Sequence, residues 1–267
     1  IAEAIAGALR VKLSVQPATK RGGTSNLAAY EAFLRGRFNW AKVTPDSLER
    51  SRRYYEEAIT LDPAFALAHA FLAEHDFATA VTFGRALELI PRARARLEDA
   101  TRIDPSLAEA QALLGTIAGV YDYDWVEAGR RFRLTSAREP VSPHARLHHG
   151  YHLLLTGRLE AARREYEQAV AEDPLHMLYR AHLAWCLQAM GATREAIDEL
   201  RKSLEVEATP WALFPLAMFQ SKLDMSEAMT SAEQAYRLAP WHGFSVGALA
   251  GLLSLAGETG PSEEVPR

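Results

Sequence analysis

Three histidines of this chain are spaced so that two of them could share a metal ion. His144, His148 and His152 stand at i, i+4 and i+8, and imidazoles at i and i+4 of one helix can bind the same zinc ion. No acidic residue or cysteine adjoins them at ligand spacing, and three residues spread over two turns cannot converge on one point. Even with His182 as a further ligand, we expect no metal and no cofactor.

Two other patterns resemble catalytic nucleophiles. Residues 243–247 spell G-x-S-x-G, which in hydrolases holds a serine on a strained turn between a strand and a helix. Here the preceding pattern is helical and no strand pattern occurs, so the motif indicates small residues that let a helix pack closely. Cys186 follows His182 by one turn, but a catalytic thiol also needs surroundings that lower its pKa. A packed core cysteine is commoner, and we predict that the chain is not an enzyme.

Composition and charge narrow the choice of partners and compartment. Hydrophobic residues make up 48% of the 267 residues, yet no apolar run approaches the roughly 20 residues of a membrane span. The formal net charge is -4, and Arg92, Arg94 and Arg96 alternate on a helix as a solvated face rather than a basic patch. The single cysteine cannot form an internal disulfide. We expect a cytoplasmic protein without nucleic acid or membrane as a partner.

A repeat in the sequence predicts the elements that must position these residues. Proline-type turns recur with gaps of 42, 35, 34, 34 and 32 residues. A period near 34 indicates a solenoid of helical hairpins, because each unit is too small to bury its apolar face and must stack on its neighbours. The turns fall at Pro63, Pro105, Pro140, Pro174, Ala208 and Pro240.

Inside one period, small residues and turn residues predict a helix, a turn and a second helix. Small residues let the two helices approach closely, a glycine ends the first helix in a left-handed conformation, and proline prevents the second from continuing. From Pro140 to Pro174 the residues at the positions of the pattern are Gly150, Gly157, Ala162, Tyr166 and Ala169. In the next period they are Ala184, Gly191, Ala196, Leu200 and Ser203.

This layout resembles the tetratricopeptide repeat, whose pattern is matched also by Leu114-Gly115, Ala128, Phe132 and Pro140. The resemblance covers residues 28–257. It implies an all-α fold, a right-handed superhelix (solenoid) of about six and a half tetratricopeptide helical hairpins.

Three of the predicted hairpins depart from the regular layout. The turn of the first, from Trp40 to Pro45, is long. The second carries about eight extra residues around Gly84, so that either its first helix is longer or a loop projects. The sixth lacks the turn glycine, and we expect Asp224 and Ser226 to start its second helix.

The two ends of the chain carry separate predictions. Ile1, Ile5, Leu9 and Leu13 form a narrow stripe, so residues 1–14 are predicted as a helix that ends an upstream domain or caps the first repeat. A linker at 15–27 follows, and the tail at 258–267 is predicted to be flexible. We expect the chain to be a piece of a longer protein.

The N-terminal sequence also resembles a junction found in bacterial signalling proteins. Residues 1–13, the polar linker and then residues 29–37 are similar to the place where a TolB-like domain meets tetratricopeptide repeats. In those families the upstream part is a winged-helix DNA-binding domain, a nucleotide cyclase or a protein kinase. The resemblance implies a place in bacterial signalling for this chain.

The last predicted helix lacks a second helix to cover it. From about Phe244 to Ala256 it is more apolar than a free terminal helix. We expect that the intact protein continues, or that the chain associates with itself through this helix. The apolar residues are Val246, Leu249, Leu252, Leu253 and Leu255.

The resemblance implies that fixed positions of each first helix line a concave groove. In the middle repeats these positions are rich in aromatic and imidazole groups, which suit an extended peptide or a docking helix. The alternative is that neighbouring hairpins simply bury several of them. The predicted groove residues are His144, His148, Tyr151, His182, Trp185, Gln188 and Phe219.

These patterns favour a protein-protein interaction module that binds a protein or peptide through the groove. Chaperone-binding members of the family clamp a terminal carboxylate with Lys, Asn and Arg, and repeats three to five have none of these at the groove positions. The alternative is a sensory or autoinhibitory C-terminal region of a larger bacterial signalling enzyme or transcription regulator.

Overall fold

A computed structural model of the chain describes residues 23–40, 42, 44–136 and 141–257, and these ranges contain thirteen α-helices. The predicted helix at 1–14, most of the linker, Pro140 and the tail at 258–267 lie outside the described residues. The helices are α1 (Leu27–Trp40), α2 (Pro45–Leu61), α3 (Ala66–Phe83), α4 (Ala86–Ile103), α5 (Ala108–Val120), α6 (Trp125–Ser136), α7 (Pro143–Leu155), α8 (Leu159–Glu172), α9 (Met177–Ala189), α10 (Thr193–Val206), α11 (Pro210–Gln220), α12 (Met225–Leu238) and α13 (Gly243–Leu255).

The helices pair along the chain into six hairpins, from α1/α2 to α11/α12, and α13 follows alone. Each odd-numbered helix from α1 to α11 packs mainly against the helix that follows it, and it is called here the first helix of its hairpin. Two compact units divide the chain, the first ending at Val141 and the second beginning at Ser142. The predicted all-α arrangement of stacked hairpins is confirmed within each unit.

Glycines end first helices in the way that the repeat pattern predicts. Gly157 has φ +75° and Gly191 has φ +83°, in the left-handed region that L side chains rarely adopt. Their N–H groups donate to the carbonyls of Leu154 and Gln188, three residues back, and so satisfy helix-end acceptors. The turn glycines of the fourth and fifth hairpins are therefore confirmed.

Close approach of the two helices depends on a size match between facing residues. A Cβ atom placed on Gly150 would lie 2.6 Å from a ring carbon of the buried Tyr166, so only glycine fits there. In the next hairpin Ala184 and Leu200 lie in one core. Ala184 is larger than Gly150 and Leu200 is smaller than Tyr166, so the two facing residues again fill the space together. Glycine meets an aromatic ring also where Gly36 faces Tyr55 and where Gly115 faces Phe132.

The extra residues of the second hairpin lengthen both of its helices. α3 and α4 have 18 residues each, whereas α9 has 13 and α10 has 14. Each helix is thus about one turn longer, and only Gly84 and Arg85 connect them. The alternative of a projecting loop is wrong.

A buried carboxylate joins the two long helices. Asp76 of α3 is fully buried, and its carboxylate accepts hydrogen bonds from the guanidinium groups of Arg92 and Arg96 on α4, each with an Nε to Oδ2 distance of 2.9 Å. Burial opposes the ionisation of Asp76, but the neighbouring His75, the hydrogen bond from Arg92 and the charge of Arg96 outweigh it and lower the pKa of the carboxyl. Arg92 and Arg96 therefore bind a buried carboxylate in addition to facing solvent, as the sequence predicted for this face.

Two hairpins of the second unit repeat one ion pair at the same chain separation of 19 residues. Arg146 of α7 contacts Glu165 of α8 at 3.1 Å, and Arg180 of α9 contacts Glu199 of α10 at 2.8 Å. The Arg146 side chain is only 7% exposed. Because each pair joins a first helix to its second helix, it adds to the packing that holds the hairpin closed.

Side-chain caps begin two helices where the repeats are irregular. Asp224 precedes α12 and accepts hydrogen bonds from the N–H groups of Ser226 and Glu227 at 2.8 and 3.0 Å. Thr44 and Ser47 form a reciprocal capping box at the start of α2, after the long first turn. Asp224 therefore starts the second helix of the sixth hairpin as predicted, and Ser226 contributes its N–H group rather than its hydroxyl to this cap.

Candidate functional site

The three histidines at helical spacing are packed side chains of α7. His144 and His148 are each 5% exposed and His152 is 6% exposed, and the rings of the first two meet edge to face with centroids 5.2 Å apart. Burial, together with the charges of Arg158 and His149, lowers the pKa of His152 to about 4. His182 lies apart from them on α9, where its Nδ1 is 2.8 Å from the carbonyl oxygen of Leu178.

Ring contacts in the second unit link four helices, α7, α9, α11 and α13. Tyr151 meets His182 edge to face at 6.2 Å, and one turn later Trp185 meets Phe219 at 4.9 Å and Phe214 at 6.2 Å. Phe214 in turn stacks on Phe244 of α13 at 5.5 Å. We call these six residues the aromatic row: Tyr151, His182, Trp185, Phe214, Phe219 and Phe244.

The aromatic row has a buried base and a partly accessible side. Phe214 and Phe219 are 8% and 2% exposed, whereas Tyr151, His182 and Trp185 are half-buried and Phe244 is 47% exposed. Half-buried rings held by buried rings offer contact area whose conformational freedom is already restricted. The accessible members of the row can therefore act as rigid contacts for a partner.

The seven predicted groove residues divide by exposure. Tyr151, His182, Trp185 and Gln188 are half-buried. The alternative that helices bury several groove residues holds for the remaining three, which are His144, His148 and Phe219.

An offset of one residue explains Phe219. Counted from the first residue of each helix, the ninth position of α9 is Trp185 and that of α11 is Met218, which is 43% exposed. The helix α11 begins two residues after Ala208, whereas α9 begins three residues after Pro174, so a count at a constant spacing of 34 residues reaches Phe219 instead. The same register makes Phe214 the fifth residue of α11 and Phe244 the second of α13, two aromatic contacts that sequence reasoning missed and that counting from the helix starts would have found.

Gln188 supplies a polar group beside the aromatic row. Its side-chain oxygen is buried and has no hydrogen-bond donor among the described residues. A buried acceptor without a donor is unfavourable by about 1 to 3 kcal/mol.

Ser245 of the G-x-S-x-G pattern has a histidine partner, but both side chains are fully buried. Its hydroxyl lies 2.7 Å from Nδ1 of His242, at the start of α13. Burial lowers the pKa of His242 to about 4, so the imidazole would be a weak base at neutral pH. The contact joins the residue before the helix to its third residue, which is the geometry of a helix-start contact rather than of an exposed nucleophile.

Acidification is expected to destabilise the second unit because His242 is buried as the neutral imidazole. Its folded pKa of about 4 lies below the ordinary value of 6.5, so the unfolded chain binds the proton first as the pH falls. The contribution of neutral His242 to the free energy of unfolding is complete above pH about 6.5 and is lost progressively as the pH falls to about 4. About 2 kcal/mol of it is lost between pH 7 and pH 5. Urea unfolding of the wild type and of His242→Phe at both pH values measures this difference; an equal pH dependence in the two proteins would contradict it.

Cys186 occupies the core of the fifth hairpin. Its side chain is fully buried, its sulfur lies 3.4 Å from the carbonyl oxygen of Leu159, and burial raises the pKa of the thiol to about 11. A thiol that remains protonated and inaccessible is a poor nucleophile. Its surroundings are those of a packing residue.

One cavity of about 250 Å³ opens between α10 and the turn that joins α11 to α12. Three of its polar groups bind one another: Arg201 contacts Glu227 at 2.9 Å, and the Gln220 amide donates to the same carboxylate at 2.9 Å. Because these polar groups already have partners, they do not converge on a ligand. Its lining also includes Arg194, Ile197, Asp198, Leu223 and Asp224.

Among the helices of the described ranges, not one combines the length and the apolar character that a bilayer crossing needs.

No family model matches the chain. Among curated proteins it is similar to the transcriptional regulator HilA of Salmonella typhimurium, with 24% identity over 194 residues, which cover 71% of this chain and 34% of that protein. HilA of Salmonella paratyphi A is 23% identical over 193 residues, with the same shares covered. The chain thus spans about a third of the length of the curated relatives it matches.

Solved structures show the same hairpin architecture at low sequence identity. A tetratricopeptide repeat protein from Parabacteroides merdae has a TM-score of 0.56 at 14% identity, covering 92% of this chain and 90% of that one. The type IV pilus biogenesis factor PilW has a TM-score of 0.53 at 16% identity, over 84% of this chain and all of its own. Human IFIT1, in a dimer with PPP-AAAA, has a TM-score of 0.63 at 17% identity, over 79% of this chain and 50% of that one. Together with the paired helices and their glycine-aromatic contacts, these likenesses show that the chain has the tetratricopeptide-repeat fold.

Proposed function

We propose that this chain is a protein-interaction module whose second unit binds an extended peptide or a helix of a protein partner along the aromatic row. The observation that carries the proposal is the set of half-buried rings on α7 and α9, held from beneath by buried rings. Aromatic side chains in such settings contribute strongly to binding, because they lose little freedom when a partner covers them.

The polar groups near the row favour an uncharged stretch of partner. Gln188 is half-buried and its amide carries no charge, and Tyr151, His182 and Trp185 offer half-buried rings on the same helix and its neighbour. These four residues include no Asp, Glu, Lys or Arg. An uncharged partner segment with apolar side chains matches this surface better than a terminal carboxylate does.

Trp185→Ala is expected to weaken peptide binding about tenfold or more, because it removes the central ring of the row. Peptides selected from a random display library on the wild-type chain provide the ligands, and fluorescence anisotropy measures their affinities. Trp125→Ala is the matched control, since Trp125 is 42% exposed and lies in the first unit. Peptides that bind the wild type and Trp185→Ala equally well would place the site elsewhere, and a library that yields no binder would count against the proposal itself.

A second candidate is a regulatory region of a larger bacterial signalling protein or transcription regulator. The similarity to the transcriptional regulator HilA over 71% of this chain favours it. The genomic reading frame that encodes the chain provides the test: a DNA-binding, cyclase or kinase domain in the same frame is expected, and a frame that encodes none of these would contradict it.

Our proposal includes neither catalysis nor a resident metal or cofactor, and it places the protein in the cytoplasm. The two nucleophile candidates support the first point, because Ser245 and Cys186 are both fully buried. Incubation of the purified chain with panels of ester, amide and thioester substrates would contradict this part of the proposal if turnover appeared and disappeared with Ser245→Ala or Cys186→Ala.

A further inference from the structure

The ninth residues of three first helices in the second unit are accessible apolar side chains. They are Tyr151 of α7, Trp185 of α9 and Met218 of α11. The first two are half-buried, and Met218 is 43% exposed. The helix α9 packs against both α7 and α11, so the three residues stand on neighbouring helices. We call them the ninth-residue ladder.

Ring contacts show that the ladder residues lean in the same direction. Tyr151 meets His182, the sixth residue of the following first helix, and Trp185 meets Phe214, the fifth residue of the first helix after that. Packed helices have axes about 8 to 10 Å apart. A segment that lies across the three helices therefore meets one ladder side chain at intervals of about that length.

The accessible surface around the ladder is uncharged. The partly exposed residues at the second and twelfth positions, counted from the helix starts, include no Asp, Glu, Lys or Arg. A charged segment would lose hydration there without gaining an opposite charge, so an uncharged segment is the better match. These residues are Leu154, Leu178, Gln188, Trp211 and Ser221.

The polar tips of the ladder are hydrogen-bond donors. The Tyr151 hydroxyl and the Trp185 indole N–H have no hydrogen-bond partner among the described residues, and neither atom is buried. The indole N–H can only donate, and the hydroxyl can also donate. They therefore require free acceptors on the partner, close to its apolar groups.

Main-chain chemistry separates the conformations that a partner segment could adopt. The carbonyl groups inside an α-helix are already bound by its own N–H groups. A β-strand has as many unpaired N–H donors as carbonyl acceptors. A polyproline II helix has no internal hydrogen bonds, and each proline lacks the N–H group, so its free carbonyls outnumber its donors. This conformation fits the donor tips best.

The period of a polyproline II helix also matches the spacing of the ladder. It has three residues per turn and rises about 3.1 Å per residue, so one side repeats about every 9.3 Å. Prolines three residues apart would thus meet successive first helices. The faces of aromatic rings carry partial negative charge, which complements the partly positive CH₂ group beside the proline nitrogen.

We propose that the ninth-residue ladder binds a proline-rich segment in the polyproline II conformation. The segment lies across α7, α9 and α11, with prolines at every third position on Tyr151, Trp185 and Met218. This inference rests on the proposed function, since two of the three residues belong to the aromatic row.

Two end-blocked, fluorescent alanine peptides of identical composition test the spacing. Each contains three prolines, at every third position in one peptide and at every second position in the other. Fluorescence anisotropy with the 267-residue chain is expected to show about fivefold or tighter binding of the first peptide, because only its prolines share one side of the helix. Equal affinities would overturn the inference.

Variants locate the contact for the first peptide. Trp185→Ala is expected to weaken its binding about tenfold or more. Met218→Lys changes an exposed residue and should weaken binding about fivefold, because it adds a charge to the uncharged surface. Gln234→Lys, at an exposed position of α12, is the matched control and should bind as the wild type does.

The outcomes distinguish this inference from the proposed function. Library peptides that require Trp185 but lack prolines at this spacing, together with equal binding of the two alanine peptides, would overturn the inference and leave the proposed function standing. Binding of the first peptide that neither Trp185→Ala nor Met218→Lys weakens would also overturn it. A library without binders, and no binding of either alanine peptide, would contradict both.

Discussion

Gly150→Ala is expected to lower the free energy of unfolding by up to about 2 kcal/mol, although alanine is the better helix former. The added methyl carbon would lie 2.6 Å from the ring of Tyr166, which is fully buried and cannot move aside. Overpacking of this kind is unfavourable by about 1 to 3 kcal/mol, and the helix propensity of alanine offsets about 1 kcal/mol of it. Urea unfolding of the whole chain measures the change.

Tyr166→Leu in the same chain is expected to restore much of the loss. It recreates the alanine-leucine combination that Ala184 and Leu200 form in the next hairpin. The coupling energy in a double-mutant cycle should therefore exceed about 1 kcal/mol in the favourable direction. Additive effects of the two substitutions on the free energy of unfolding would show that the space at position 150 does not depend on the side chain at position 166.

Gly247→Ala provides the matched control, since its methyl group would meet no atom within 4 Å. At low protein concentration it is expected to raise the free energy of unfolding by up to about 1 kcal/mol, from helix propensity alone. A loss of stability from this substitution as large as that from Gly150→Ala would rule out close helix contact as the cause.

Arg92→Met together with Arg96→Met is expected to lower the free energy of unfolding by about 3 kcal/mol. The two substitutions leave the fully buried carboxylate of Asp76 without the guanidinium groups that bind it. Removing the partners of a buried charge is strongly destabilising, because the desolvated ion is no longer compensated. Since the partners lower the pKa of Asp76 and burial alone would raise it, the difference in free energy of unfolding between the wild type and the double variant should decrease as the pH falls and the carboxyl becomes protonated.

Arg94→Met is the control within the same helix. Arg94 contacts Asp122 at 2.7 Å, but both side chains are about one-third exposed, so the loss should be below about 1 kcal/mol. Hydrogen exchange followed by mass spectrometry would place the effect of the double variant in α3 and α4. Equal losses from Arg94→Met and from the double variant would contradict a special role for the buried carboxylate.

Sequence reasoning predicted the repeat well because its signals are local. Gly157 and Gly191 adopt the left-handed conformation that their spacing predicted, and Asp224 caps the helix expected after it. Each of these features depends on main-chain geometry within a few residues, which the residue type itself restricts.

The candidate site was predicted less well because exposure depends on register. An error of one residue exchanges the buried Phe219 for the exposed Met218, since adjacent residues of a helix point about 100° apart. The partners of Arg92 and Arg96 were also missed. Asp76 precedes them by 16 and 20 residues on another helix, and no pattern in the sequence marks that contact.

The helical hairpins, their period and the glycines and prolines that end them can be predicted from the amino-acid sequence, since they follow from local backbone preferences and apolar spacing. Tertiary packing was needed to show that the extra residues of the second hairpin extend both helices, that Phe214 and Phe244 join Trp185 in one aromatic row, and that Gly243, Gly247 and Gly251 of α13 face outward. These outcomes depend on which side chains from distant parts of the chain fill the same space, and packing of that kind leaves no periodic trace in the sequence.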